Sequence, residues 1–145
     1  MPFFRKSNPH SKPKEIKRSA QVSINPQEDL VWLICRNQVE SVGKGVSVEI
    51  FISECKILKF DLFSAGNGHF HLFTGNSDIK SGRIKIPEQT LKQQTERLAF
   101  ELEFNLRNYR KLHSDERIRA FKIDVPAIRS ALPKLKKAVL ERGTH

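Results

Sequence analysis

The chain contains few cysteines and no long apolar run. Its 145 residues include two Cys, one Trp, one Tyr and one Met. Cys35 and Cys55 form no CxxC pair and no Cys/His metal spacing, so the sequence predicts reduced thiols rather than a disulfide framework. No apolar segment is long enough to span a bilayer, and no hydrophobic stretch follows the basic N-terminus as in a secretory signal. We therefore expect a cytoplasmic protein without a transmembrane segment.

Signatures of nucleophilic and nucleotide-dependent enzymes are also missing from the sequence. No serine lies in a GxSxG elbow, and there is no Walker pattern. Cys35 follows the apolar run Leu-Val-Trp-Leu-Ile, which predicts a buried and unreactive thiol. The sequence thus favours a binding or accessory protein over an enzyme, and it points to no cofactor.

The net charge of +10 is distributed unevenly. Residues 1–20 carry six Lys/Arg against one acid, and residues 80–145 carry sixteen against eight. Residues 21–79 carry four Lys/Arg against seven acids. Both flanks are therefore basic, while the middle is mildly acidic. Such segregation produces a directional field that attracts polyanions.

The composition divides the chain into an arm and one domain. Residues 1–20 contain Pro2, Pro9 and Pro13 among like charges, which predicts a disordered basic arm. Residues 21–145 have the length and apolar patterning of a single α+β domain. No internal repeat is present.

The first half of this domain predicts an antiparallel β-meander of about four to five strands. A continuous apolar run at 30–35 and alternating patterns at 46–53 and 57–63 are typical of strands. The sequence Ala-Gly-Asn-Gly at 65–68 predicts a hairpin turn leading into a returning strand at 69–73. Gly43-Lys44-Gly45 predicts a second turn, and residues 83–86 predict a short edge strand.

The second half predicts helices packed against this meander. Residues 88–112 lack Gly and Pro and have apolar residues at helical spacing, so they predict one long helix. Residues 117–123 fit a strand with imperfect alternation. Asp124 and Pro126 predict the start of a C-terminal helix, kinked or split at Pro133 and ended by Gly143.

His69 and His71 are the candidate metal ligands. On a strand, residues i and i+2 point to the same face, so both imidazoles are expected side by side. Cupin-like metal sites add a carboxylate a few residues later and a third histidine, and the sequence after His71 supplies neither. We expect partly exposed histidines, with a small metal-dependent enzyme or metal-binding protein as the alternative.

The candidate polyanion-binding residues lie in the arm and in the helical half. An amphipathic helix with a basic face is suited to phosphate contacts or to an anionic lipid surface. The predicted residues are Arg5, Lys6, Lys14, Lys17, Arg18, Arg107, Arg110, Lys111, Arg117, Arg119, Lys122, Arg129, Lys134, Lys136 and Lys137. The best hypothesis from sequence is a small basic protein that engages an acidic protein partner or nucleic acid, in an undetermined oligomeric state.

Overall fold

The structure is a computed structural model that describes residues 19–39, 43–63, 66–76 and 82–143. It contains a six-stranded antiparallel sheet in which each strand pairs with its sequence neighbours. The strands are β1 (Ser19–Gln27), β2 (Leu30–Val39), β3 (Gly43–Ile52), β4 (Cys55–Phe63), β5 (His69–Leu72) and β6 (Arg83–Lys85). The α+β class and the meander are thereby confirmed, with six strands in place of four to five.

Helices follow the sheet. They are α1 (Leu91–Phe100), a π-helical segment (Glu101–Asn105), α2 (Leu106–Arg110), α3 (Glu116–Arg119) and α4 (Val125–Gly143). Thr90 caps α1 in a capping box with Gln93. The first three segments follow one another without a break and correspond to the long helix predicted at 88–112, although α4 is the longest helix.

Alternation along the strands gives the sheet two faces. One face packs against the helices and forms the core, with Trp32, Ile50 and Phe60 fully buried next to Leu98 and Leu135. We call the opposite side the outer face. On the central strands, paired residues lie on the same face of the sheet; for example, the core residues Trp32, Ile50 and Leu58 pair across strands. Every second residue therefore projects from the outer face.

In the helical half, the structure differs from two predictions. Residues 117–123 were predicted as an imperfect strand, but α3 begins there because the Asp115 side chain accepts a hydrogen bond from the Arg117 backbone N–H and caps the turn. α4 passes through Pro133 without being split. Buried Leu132 and Leu135 on either side of the proline anchor both halves in the core, and this packing offsets the missing backbone donor.

One predicted turn lies within a strand. Gly43, Lys44 and Gly45 belong to β3 rather than to a turn. A Cβ on Gly45 would overlap the Leu62 carbonyl and the Phe63 ring, so this glycine permits a close approach. β1 begins at Ser19, which places the last two residues of the predicted arm in the sheet. Residues 1–18 lie outside the described residues, and the proposed division into arm and domain stays a prediction.

Candidate metal centre

The outer face contains buried polar side chains, which is unusual for a sheet surface opposite the helices. Ser47, Asp61 and His69 are 2%, 5% and 8% exposed, and Asn37 is 5% exposed. Burial of polar groups is costly unless each one has a partner. The partners of these residues are largely one another, so they form a connected cluster.

The hairpin between β4 and β5 brings a carboxylate to the two predicted histidines. In the register, Asp61 pairs with His69 and Lys59 pairs with His71. All four residues point to the outer face because both pairs alternate with the core pair Phe60 and Phe70. His69 Nε2 lies 3.2 Å and His71 Nε2 lies 3.3 Å from the same oxygen, Asp61 Oδ2. One carboxylate oxygen thus faces two imidazole nitrogens.

A backbone contact fixes the orientation of the His69 ring. His69 Nδ1 lies 3.1 Å from the Asn67 carbonyl oxygen, which accepts from an N–H at Nδ1. In a neutral imidazole this leaves Nε2 with a lone pair aimed at Asp61 Oδ2. Two acceptors at 3.2 Å repel each other unless a proton or a cation lies between them. This arrangement is the one found in metal-binding histidines, whose second nitrogen donates to a carbonyl or carboxylate.

The other oxygen of Asp61 is held by a chain of hydrogen bonds across three strands. Asn37 Nδ2 donates to Ser47 Oγ at 2.9 Å, and Ser47 Oγ donates to Asp61 Oδ1 at 2.8 Å. Lys59 Nζ adds a weaker ion pair to Oδ1 at 3.8 Å. Because Oδ1 is occupied in this way, Oδ2 is presented to the histidines.

Aromatic rings flank both imidazoles. Phe63 stacks on His69 with ring centroids 6.4 Å apart, and Phe73 stacks on His71 at 6.2 Å. Gly45 leaves the space that the Phe63 ring occupies. Phe63 is 2% exposed, so it forms a closed wall on the His69 side. Access from solvent is therefore over His71, whose side chain is 25% exposed.

Burial lowers the pKa of His71, which favours the neutral imidazole. Asp61 acts in the opposite direction, while nearby Lys59 and Arg83 reinforce the decrease. A neutral imidazole is the form that binds a metal ion. Burial thus favours the form of His71 that could coordinate a metal ion.

The ligand spacing agrees with a bound metal ion. The ligand atoms offered by Asp61, His69 and His71 all lie within 4.8 Å of one another. With metal–ligand bonds of about 2.0–2.1 Å and tetrahedral angles, neighbouring ligand atoms are about 3.3 Å apart. The two nitrogen–oxygen distances of 3.2 and 3.3 Å match that value, and the two imidazole nitrogens are at most 4.8 Å apart. Two imidazoles and one carboxylate are thus close enough to share one metal ion.

The predicted polyanion-binding residues have mixed environments. Several have acidic partners on a neighbouring helix or turn, such as Arg129 with Glu103 at 2.7 Å and Lys136 with Glu96 at 3.1 Å. The sequence placed these cations on a nearly pure basic face, whereas the acids come from the α1 helix and its π-helical extension. Two further cations of this set have acidic partners close in sequence, Arg117 with Asp115 and Lys137 with Glu141.

The remaining predicted cations fall into two groups. Arg110 donates to the Arg119 carbonyl, and Arg119 donates to the carbonyls of His113 and Ser114, so both stabilise the turn after α2. The second group, Arg107, Lys111, Lys122 and Lys134, also forms no ion pair within the described part of the chain. The five cations predicted in the arm, Arg5, Lys6, Lys14, Lys17 and Arg18, lie outside the described residues. Polyanion binding by this set stays a prediction.

A second cluster surrounds Cys55 at the β3–β4 turn. A cleft of about 450 Å³ is lined by residues that include Cys55, His113 and Asp115. Cys55 Sγ lies 3.6 Å from His113 Nε2, while His113 Nδ1 accepts a hydrogen bond from the Asp115 backbone N–H. A neutral ring then has its proton on Nε2 and cannot accept one from the thiol. Burial, followed by Asp115, raises the pKa of Cys55, which opposes an activated nucleophile.

Sequence reasoning identified the two histidines of the metal cluster and missed its carboxylate. A cupin-like pattern predicts the acid downstream of His71, whereas Asp61 precedes the histidines on the paired strand. A hairpin centred on the predicted Gly66-Asn67-Gly68 turn would pair His69 with position 65, whereas the observed register pairs it with Asp61, so the turn signal alone does not identify the carboxylate.

Comparisons with known proteins supply no further guide. No family model, no curated protein and no solved structure matches the chain. Within the described ranges, no helix combines the length and the apolar character needed to cross a membrane.

Proposed function

We propose that the protein binds a divalent transition-metal ion, with zinc as the expected ion, through His69 Nε2, His71 Nε2 and Asp61 Oδ2. The single observation behind this proposal is the pair of imidazole nitrogens at 3.2 and 3.3 Å from one carboxylate oxygen. Nitrogen and carboxylate donors suit zinc and neighbouring first-row ions.

The surroundings of the cluster support this assignment. The Asn67 carbonyl orients His69, and Ser47 orients Asp61, as outer partners do in metal sites. Burying connected polar groups of this kind costs free energy. A bound ion would offset this cost, because lone pairs that otherwise repel each other would form coordination bonds with it.

Three protein ligands leave a coordination position open. Structural zinc sites are usually closed by four protein ligands, whereas catalytic sites keep one position for water or substrate. Within the described residues, the metal-ligating groups brought together here are Asp61, His69 and His71 alone. The open position faces the exposed side of His71, and we place exogenous ligands there.

Cobalt(II) titration tests the proposal directly, since this ion replaces zinc and absorbs visible light in a geometry-dependent way. We expect one cobalt ion per chain, with bands that zinc abolishes by competition. Asp61→Asn preserves shape and removes the anionic ligand, so metal affinity should fall on the order of 100-fold or more. His71→Gln should weaken binding comparably.

The control is His113→Gln, which removes a buried imidazole that lies outside the cluster. It should bind cobalt as the unmodified chain does. Circular dichroism of each variant establishes that it is folded. Absence of stoichiometric binding by the unmodified protein, or equal affinity in Asp61→Asn, would contradict the proposal.

Polyanion binding through the basic flanks is the second candidate function, in the form of nucleic-acid binding. It is favoured by the four cations Arg107, Lys111, Lys122 and Lys134, which have no acidic partner among the described residues. Titration of labelled single- and double-stranded oligonucleotides should show binding at low salt that weakens steeply as salt rises. No binding at low salt ends this candidate. Salt-insensitive binding to a protein would instead favour an acidic protein partner.

A further inference from the structure

We infer that the open position of the metal site takes a phosphate dianion, either inorganic phosphate or the phosphate group of a monoester. This inference rests on the proposed metal site and names the class of ligand that the site would accept. It is drawn from the charges and the openings that surround the three ligands.

Two exposed cations stand beside the histidines on the edge strand. β6 pairs with β5 so that Lys85 faces His69 and Arg83 faces His71. Paired residues project from the same face with Cβ atoms about 4.5–5.5 Å apart. Both cations are exposed, and within the described part of the chain neither has a hydrogen bond or ion pair to an acid. They are therefore available to an incoming anion.

The charge around a bound ion would be strongly positive. The third cation, Lys59, lies on β4 opposite His71 and 3.8 Å from Asp61 Oδ1. Glu49 lies opposite Lys59 in the register and forms an ion pair with Lys56 at 3.1 Å, so its one charge offsets one of these two lysines. A divalent ion together with the remaining lysine charge, Arg83 and Lys85 then faces one carboxylate, Asp61. An anion with more than one negative charge is the complement of this surface.

The opening of the site coincides with these cations. Asp61 and His69 are buried, Phe63 closes the His69 side, and His71 is the exposed ligand. Because Arg83 pairs with His71, it projects from the outer face beside the exposed ligand. A ligand that enters over His71 would meet the metal and the guanidinium together.

Phosphate satisfies this geometry better than a carboxylate does. Its tetrahedral oxygens allow one to bind the metal while others accept from Arg83 and Lys85, which are about 7 Å apart along one side of the strand. Its charge at neutral pH is about −1.5 to −2. Arginine binds phosphate through two parallel N–H donors, and lysine adds a compact charge.

The test uses cobalt-loaded full-length protein with inorganic phosphate and phenyl phosphate as probes and benzoate as the singly charged comparison. We expect both phosphate probes to shift the cobalt bands with saturation, at least about tenfold more tightly than benzoate. In Arg83→Gln/Lys85→Gln, phosphate affinity should fall at least about tenfold, while cobalt still binds. Lys92→Gln, which removes an exposed cation on α1, should leave both affinities unchanged.

The outcomes separate the two proposals. Absence of cobalt bands before any anion is added refutes the metal site, and the inference with it. Cobalt bands that phosphate leaves unchanged, or that it abolishes by extracting the ion, overturn the inference while the metal site stands. Equal phosphate affinity in the double variant and the unmodified protein also overturns it. A saturable response to inorganic phosphate alone assigns the site to the free ion rather than to a monoester.

Discussion

Ser47→Ala tests whether metal binding requires Asp61 to be held in position, because the substitution removes a hydrogen bond to Asp61 while Asp61 itself is retained. Ser47 Oγ accepts from Asn37 Nδ2 and donates to Asp61 Oδ1, and all three residues are buried. The substitution removes one oxygen atom and no charge. It leaves the ligands Asp61, His69 and His71 in the chain, but Oδ1 of the carboxylate keeps only the weaker ion pair with Lys59.

The expected magnitudes follow from these two hydrogen bonds. A hydrogen bond to a charged group stabilises by about 1.5–3 kcal/mol, and the Asn37 amide also loses its acceptor in a buried place. The metal-free variant should therefore lose about 2–4 kcal/mol of unfolding free energy. Because Asp61 is then free to rotate, metal affinity should fall about 10–100-fold, as for other outer partners of metal ligands.

Two measurements check this prediction, namely urea unfolding without metal and cobalt titration at a temperature where the variant is folded. Ser23→Ala is the matched control, since Ser23 lies on β1, projects from the same outer face of the sheet as Ser47 and is exposed. This substitution should change neither the unfolding free energy nor the cobalt affinity. If Ser47→Ala loses stability but keeps full cobalt affinity, the chain from Asn37 to Asp61 is structural only. The positioning argument would then be wrong.

Three further predictions concern other parts of the fold. Gly45→Ala should lower the free energy of unfolding by about 1–3 kcal/mol, because the added methyl group would overlap a phenylalanine ring and a backbone carbonyl. The control is Gly82→Ala, where the added atom meets nothing within 4 Å. It should be close to neutral in the same denaturation assay. Burial and then the Glu101 carboxylate raise the pKa of Tyr109, the only tyrosine in the sequence. Its ultraviolet titration should therefore occur at higher pH in the folded than in the unfolded protein, and the Glu101→Gln variant should titrate closer to the ordinary value. Coincident folded and unfolded titration curves would refute this. The raised pKa of Cys55 means that less thiolate is present at neutral pH. Iodoacetamide should therefore modify Cys55 several-fold more slowly in the native than in the denatured protein. Rapid labelling of the native protein would contradict the assignment of an unactivated thiol.

Much of the sheet was predictable because its central strands repeat apolar residues with period two. The patterns at 46–53 and 57–63 correspond to β3 and β4, and the Asn67-Gly68 signal to the β4–β5 hairpin. β1 was missed because it is polar and contains Pro26, and its position at the sheet edge explains why proline is tolerated there. Edge strands owe their structure to a neighbour rather than to their own pattern.

The helices show where local signals suffice and where they do not. The Asp124 cap is confirmed, since its carboxylate accepts from the Ala127 backbone N–H at 3.1 Å. Pro133 predicted a kinked or split helix, and of these two outcomes the split is wrong, because tertiary packing keeps α4 undivided. The π-helical segment at Glu101–Asn105 has no sequence signature. Buried Glu101 lies there and accepts hydrogen bonds from Asn105 and Tyr109.

In the candidate site, too, some features could be predicted from local sequence and others could not. The side-by-side placement of His69 and His71 follows from strand periodicity alone. The contribution of Asp61 depends on which residues pair across a hairpin, and that of Ser47 depends on a third strand. Charge proved harder to predict, since the acids that neutralise Arg129 and Lys136 lie on another helix. Contacts between distant segments are not encoded in a local pattern.

Nitrogen-15 NMR of the histidine rings, recorded with and without one equivalent of zinc, tests the metal centre most directly. Coordination at Nε2 predicts that the Nε2 resonances of His69 and His71 shift on zinc addition, with His69 keeping its proton on Nδ1 opposite the Asn67 carbonyl. The His113 ring, outside the cluster, should be unaffected. Unchanged resonances for His69 and His71, or zinc-dependent shifts confined to other histidines, would contradict the assignment.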